Sequence, residues 1–442
     1  MAQHASCNME RRPWMIAFDD VVKAVLSLSS LSHKRSEGDY ETEGETDDRS
    51  DSEGYSDSDT RAYQPDNSYS MKFQWLPCEV DISGVEARIT SYINNLHPRE
   101  KGLYKLVEKV IDASIPLWDV TLAPFRTGKA CYYPRRVEYY TGRGCAKYDP
   151  DPANAPATEG PQQLSDEDDD QYEERRQQWI YETRLLVRPE PCSFKRRPSS
   201  SFNLRERYGH RGLQVIVKFA NIVLTPEKPK YQGGLWHVEG QLNEHIAATS
   251  IYCYSCENIT PSLLNFRQQV CTKDINEAGH SQEDDHEWLE IIFGCDDDGP
   301  GIQDIGRVET REGRLITFPN ILQHRVKSFE LADPTKPGHR KILALFLVDP
   351  NIKIISTAHV PCQSKEWWQE TIIQEQTIFP DSAGLAQLPM ELQSIIFDEV
   401  QEFPLDIEEA KSLRLDLMKE RAMYAHAQDA AFHKNHFSLS EH

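Results

Sequence analysis

One short stretch carries residues that could do chemistry together. In Trp236-His237-Val238-Glu239-Gly240 an imidazole and a carboxylate stand two positions apart. Side chains alternate faces along an extended strand, so both would point the same way. A second imidazole from a distant segment would complete a set of two His and one carboxylate. Such a set holds Fe(II) and leaves coordination positions open. The triplet alone says little in a chain with 15 His and 71 acidic residues, although His237 is the only His followed two places on by an acid.

A candidate second histidine lies in Gly313-Arg-Leu-Ile-Thr-Phe-Pro-Asn-Ile-Leu-Gln-His324-Arg-Val, which reads as strand, turn and strand with His324 just inside the second strand. Downstream, Gly338-His339-Arg340-Lys341 opens the most hydrophobic run in the chain, Ile342 to Val348. Arg340 is either a charge that ends a strand or a planar fork that clamps a carboxylate bidentately. Alternation sends Lys341 to the other face. His245 competes as a ligand, and the acidic loop His280 to His286 could gather metal. His339 and His359 read as structural or as neighbours of the ligands, and Trp236, Asn243 and Arg267 as neighbours of the site. The lone C-x-x-C, Cys253-Tyr-Ser-Cys256, reads as two buried free thiols, because no second such pair exists to complete a zinc cage.

The elements that must position these residues fall into five segments. Residues 1–34 form an N-terminal segment with one short amphipathic helix at Trp14 to Leu28, and 35–67 a disordered acidic linker. From Arg35 to Thr60 there are eleven acids, two bases and almost no aliphatics, too little apolar surface to offset chain entropy. Residues 68–212 read as the helical N-terminal part of the domain, with helices at Val80–Leu96 and Arg99–Ala113. In the second, Leu103, Leu106, Val107 and Val110 share one face. Ile115-Pro-Leu-Trp follows as a turn, and a mobile insertion lies near 151–175, with 155–171 expected to be disordered.

Residues 213–350 carry short β-branched or aromatic runs between turn signals: Leu213–Leu224, Trp236–Glu239, Ile246–Tyr254, Glu287–Phe293, Arg314–Phe318, Arg325–Leu331 and Lys341–Val348. So many short strands point to a mainly β core, a sandwich or jelly roll, within an α+β chain. Residues 351–442 read as a helical buttress. One helix spans Pro389–Val400, and Asp406 with Glu409 opens another that places Ala410, Leu413, Leu417 and Tyr424 on one face.

The net charge of -22 argues against nonspecific binding to nucleic acid or anionic membrane. Nothing approaches the ~20 apolar residues of a membrane span. Asp19, Asp20 and Lys23 spoil the N-terminal apolar run as a signal peptide, so an intracellular protein, cytoplasmic or nuclear, is expected.

His237-x-Glu239, a distal His324 in a G-x-L-x-F-P context and Arg340 at a strand start resemble, in that order, the 2-oxoglutarate and Fe(II)-dependent oxygenases. More closely, WHVEGQLNEHIAAT, the run IYCYSCENIT, GRLITFPNILQHRV and the C-terminal EAK-x-x-R-x-x-LM-x-ER resemble a fungal family filed as domain of unknown function 4246, over roughly residues 70 to 430. The oxygenase resemblance implies a double-stranded β-helix, cupin-like, with Fe(II) held by His237, Glu239 and His324. It implies 2-oxoglutarate as co-substrate, with Arg340 on its far carboxylate and Tyr252 or Tyr254 adding a hydroxyl according to strand register. The implied activity couples decarboxylation of that co-substrate to hydroxylation or demethylation of an unknown substrate. This chain departs from the commoner pattern in having Glu for Asp and a longer gap from His324 to Arg340. The alternatives are a cupin-like metal-containing binding module without turnover and a dioxygenase that needs no 2-oxo acid. Neither has use for a buried Arg facing the metal.

Overall fold

The computed structural model describes residues 68–126, 149–150, 152–154, 156, 158–184, 202–270, 289–290, 293–378, 388–400 and 404–434. The expected helix at 14–28, the acidic tract 35–67 and the His280–His286 loop lie outside the described residues.

The first part of the chain gives β1 (Cys78–Asp81), β2 (Arg88–Ile89), α1 (Lys101–Leu122), α2 (Asp169–Thr183) and α3 (Leu204–Tyr208). The β-rich part gives β3 (Leu213–Leu224), β4 (Lys230–Tyr231), β5 (Ile246–Glu257), β6 (Leu263–Gln269) and β7 (Ile302–Glu309). It continues with β8 (Leu315–Pro319), β9 (Gln323–Val326), β10 (Phe329–Glu330) and β11 (Gly338–Val348). Last come α4 (Lys365–Ile378), α5 (Met390–Asp398) and α6 (Ile407–Lys434). The strands form a six-stranded sheet in the order β2-β1-β3-β11-β5-β8, a three-stranded sheet β7-β6-β9 and a pair β10-β4. Every strand pairing is antiparallel.

β11 shows why its sequence is a continuous apolar run. It lies between β3 and β5 and is covered on both faces. Leu343, Leu345 and Leu347 join a core with Val107, Ile111, Ile115, Trp118 and Leu122 of α1. Ile342, Ala344, Phe346 and Val348 face the other way and join Leu264 and Phe266 of β6. The larger and smaller sheets therefore pack face to face over this second core, and its interior carries the candidate site.

Several expectations need correction. Val80–Leu96 is not a helix: Val80 pairs with Ile89 across a turn, where Ser83 N–H donates to Asp81 Oδ1 at 2.8 Å. The buried Val80, Ile82, Ala87 and Ile93 match a strand and turns as well as a helical face, and the local Asp-Ile-Ser-Gly signal decides. The turn expected at Ile115-Pro116 is helix, because α1 runs on through Pro116 to bury Ile115, Trp118 and Leu122. That burial outweighs the lost backbone bond.

Within the stretch 155–171, where disorder is expected, residues 158–171 are held by local polar contacts rather than by a core. Asp168 and Gln171 form a capping box at the start of α2. Arg175 reaches back to Glu167 at 2.7 Å and to the Gln162 carbonyl at 2.8 Å. Within Glu287–Phe293, Leu289 and Glu290 are helical, not strand. Trp236–Glu239 is a loop with one isolated bridge, and β7 had no clear sequence signal. The helices at 389–400 and from Asp406 are present as α5 and α6, with Asp406 Oδ1 accepting from Glu409 N–H at 2.8 Å. Among the described residues no helix is long and apolar enough to cross a membrane.

Candidate metal centre

The two histidines meet through their backbones. His237 N–H donates to the His324 carbonyl at 3.2 Å, and His324 N–H donates to the His237 carbonyl at 2.9 Å. This antiparallel bridge joins the loop after β4 to β9 and leaves the imidazole centroids 4.5 Å apart. Glu239 arrives from the loop and is fixed by Asn320. Its N–H donates to Asn320 Oδ1 at 2.9 Å, and Asn320 Nδ2 donates to its carbonyl at 2.9 Å. The chain then turns at Gly240, φ +72°, where a Cβ would stand 2.7 Å from Ile246 Cδ1, so only glycine fits without a shift.

Both imidazoles present Nε2 to Glu239. His324 Nε2 lies 3.3 Å from Glu239 Oε1, and His237 Nε2 lies 3.8 Å from the same oxygen. The three ligand atoms lie within 4.8 Å of one another. The opposite ring nitrogens are placed alike. His237 Nδ1 meets the Leu235 carbonyl at 2.8 Å and His324 Nδ1 the Leu322 carbonyl at 3.4 Å. A carbonyl at Nδ1 keeps a proton there, so a metal that replaced the Nε2 contacts with Glu239 would meet the Nε2 lone pairs. Donors that share one ion at about 2.1 Å stand roughly 3–3.5 Å apart, so the set could hold a divalent ion if the side chains drew together.

The surroundings suit ligands. Burial would raise the Glu239 carboxyl, yet the His324 hydrogen bond and the charges of Lys218 and the histidines outweigh it and hold the group down at about 2. The His237 imidazole is lowered by burial and then by His324, against the pull of Glu239. Phe318 packs edge-on to the His324 ring at 4.8 Å and Phe266 lies at 6.2 Å, so one wall is dry. His324 is 2% and Glu239 8% exposed, whereas the His237 side chain keeps 34% of its surface. The open side is therefore the side of His237.

Arg340 shares the interior face with Ile342 and is 2% exposed. Its Nε donates to Thr310 Oγ1 at 3.3 Å, while Nη2 has no partner among the described residues. An unpartnered buried N–H is costly, so this donor marks a place for an acceptor. Tyr252 and Tyr254 do not share that face. Both pack on the α1 side, and the Tyr254 hydroxyl donates to Asn221 Oδ1 at 3.0 Å. Residues two apart share a strand face, so a register slip could never have exchanged them. His245 caps a turn with φ +46° outside the triad, and His339 and His359 bond Ser255 and Ser356. Asn243 ties down the chain at Ser70 and Phe73.

Lys218, Glu244 and the residues of α6 that reach the site escaped the sequence reading. Lys218 lies on β3 on the face of Ile216 and Ala220, with Nζ above the rings of Trp75 at 5.3 Å and Phe346 at 5.9 Å. Among the described residues it makes no ion pair, and its charge is one of those holding Glu239 down. The signal was a lone cation in the alternation of Ile216 and Ala220, and its side chain stays exposed. Glu244 is fully buried; it accepts from the backbone N–H of Gln241 at 2.6 Å and of Trp75 at 3.0 Å, and from Arg421 Nη1 of α6 at 3.0 Å. On the outer face Trp236 lies between two guanidiniums, Arg267 at 4.4 Å and Arg325 at 4.5 Å, and Asp429 of α6 holds Arg267.

Fold and site together define a mixed α/β protein with antiparallel sheets that brings two histidines and a glutamate to one point capable of holding a metal. The chain belongs to the protein family of unknown function DUF4246, whose family model matches residues 20–371. No curated protein matches the sequence. Among solved structures, the Fe(II)/(alpha)ketoglutarate-dependent dioxygenase TqaL is 15% identical, with a TM-score of 0.20 over 37% of this chain and 51% of its own. The chain thus spans about half of that protein. The hydroquinone 1,2-dioxygenase PnpCD is 14% identical, with a TM-score of 0.15 over 34% of this chain and 66% of its own. Protein NMB1881 from Neisseria meningitidis is 11% identical, with a TM-score of 0.13 over 34% of this chain and 99% of its own. At these scores none carries weight for activity.

Proposed function

We propose that the protein is a non-haem Fe(II) oxygenase that uses 2-oxoglutarate, with the two facing sheets forming a double-stranded β-helix. The observation that carries this reading is the convergence of His237, Glu239 and His324, each held by backbone bonds of its own segment. Three protein ligands on one side leave positions for an oxo acid and dioxygen. When bound, Fe(II) supplies the oxidising chemistry, hydroxylation or demethylation of a second substrate, at the expense of 2-oxoglutarate decarboxylation.

The chain's own residues bind, orient and exclude water. Arg340 offers a buried donor on the interior face for the far carboxylate of the co-substrate, and the exposed Lys218 adds a cation at the rim, close enough to act on Glu239. A divalent ion and the buried Arg340 stand against the single buried carboxylate Glu239, so a dicarboxylate brings the interior close to neutrality. Phe266 and Phe318 keep water from the His324 side. The test is anaerobic addition of Fe(II) and then 2-oxoglutarate to the full chain, watching for the weak visible charge-transfer band of a chelated oxo acid. Metal binding without that band would favour a metal-containing binding module or a dioxygenase that needs no oxo acid; absence of metal binding would end the reading.

A further inference from the structure

Cys253 and Cys256 lie three positions apart on β5, and in an unbroken strand they would face opposite sides. β5 is not unbroken. Cys253 stands opposite Ile342 of β11, Ser255 opposite Lys341 and Cys256 opposite Arg340. Tyr254 is the extra residue of a β-bulge, so three steps along β5 match two along β11. The bulge restores Cys256 to the face of Cys253, and both sulfurs enter the core between the sheets. Two strand steps span roughly 6.6 Å, inside the Cα separation of about 4.4–6.8 Å that a disulfide tolerates. Both cysteines are free, and their sulfurs are 2.9 Å apart.

The two thiols differ in access. Cys253 is 1% exposed, and burial with the neighbouring thiol pushes it up to about 12. Cys256 is partly exposed, and its Sγ donates to the Thr310 carbonyl at 3.8 Å. The hydroxyl of the same Thr310 takes Arg340 Nε, so a reachable thiol sits beside a buried guanidinium. A partly exposed cysteine with a guanidinium close by is the arrangement of a reactive thiol.

We propose that Cys253 and Cys256 are a reversible oxidation site, with Cys256 the thiol that a peroxide meets and Cys253 the thiol that resolves it. The Cys256 thiolate attacks one peroxide oxygen; the O–O bond breaks, a sulfenic acid forms, and the departing hydroxide takes a proton and leaves as water. The Cys253 sulfur then attacks Cys256 Sγ, and the displaced hydroxyl leaves with the Cys253 proton as a second water. Two thiols and one hydrogen peroxide give one disulfide and two waters, and a dithiol reductant reverses the change.

The pair can be read without metal or turnover, so its failure is distinct from failure of the oxygenase reading. Full-length metal-free protein is treated with hydrogen peroxide, then unfolded, alkylated and cut with trypsin. The peptide after Lys230 that ends at Arg267 contains both cysteines and no other. The expected result is an unalkylated peptide lighter by about 2 Da than the dithiol form, for the two hydrogens lost, and restored by dithiothreitol. Cys256→Ser should abolish it, and Cys253→Ala should leave Cys256 as a sulfenic acid that dimedone traps. Equal alkylation of both cysteines before and after peroxide would overturn the proposal. A lighter peptide that forms only when peroxide is added to unfolded chain would overturn it as well.

Discussion

His237 and His324 are each other's backbone partners, bonded in both directions across a single antiparallel bridge. The spacing of the two imidazoles is therefore set by main chain, and removing a ring leaves its frame standing. His237→Ala, Glu239→Ala and His324→Ala should each weaken Mn(II) or Fe(II) binding by more than about 100-fold, with far-ultraviolet circular dichroism unchanged. Equilibrium dialysis reads the affinity. A triple variant that kept one tightly bound ion per chain would move the site elsewhere.

Acid should reveal Glu239 in the metal-free protein. Its carboxyl sits at about 2 against an ordinary 4.5, with the His324 hydrogen bond and nearby cations outweighing burial. A depressed carboxyl stabilises the fold above its unfolded value, and that contribution is lost as pH falls from 4.5 through 2. The melting-temperature gap between parent and Glu239→Gln should narrow across that window. Parallel curves would show that the carboxylate gains nothing from folding.

Arg340 and Lys218 should both register 2-oxoglutarate, and Lys341 should not. Charged hydrogen bonds contribute roughly 1.5–3 kcal/mol each, so Arg340→Ala should weaken the co-substrate about a hundredfold while leaving metal binding intact. Arg340→Lys should fall between, because it gives up the fork. Calorimetry on the Mn(II)-loaded protein decides. A larger loss in Lys218→Ala than in Arg340→Ala would assign the clamp to β3 instead of β11.

Arg421 should be required for stability although it lies far along the chain from the site. It is the only side-chain cation bonded to the fully buried Glu244 among the described residues. Leaving that carboxylate unpaired should cost about 3–5 kcal/mol, measured by urea unfolding of Arg421→Ala. A cost below about 1 kcal/mol would mean that the carboxylate rehydrates freely.

The meeting of His237, Glu239 and His324 was legible because side-chain type and short spacing carry it, and the inward place of Arg340 because a cation opening an apolar run is conspicuous. The tyrosines were misjudged because the sequence does not say which face of β5 meets α1. Lys218 was passed over because its role depends on β3 pairing with β11, a contact between distant segments. Helix α2 is hidden by its acidic composition, and only the Asp168–Gln171 capping box marks its start. The fold of Cys256 toward Cys253 depends on a bulge that only the pairing register reveals.

The last helix reaches both flanks of the triad: Arg421 holds Glu244 just after Glu239, and Asp429 holds Arg267, on which Trp236 rests just before His237. During synthesis these anchors emerge long after the ligands themselves. A nascent chain halted before Arg421 already contains every donor atom but lacks the clasps that fix their loop. A chain without Arg421 and Asp429 would therefore keep all three candidate donors but hold them in a slack centre.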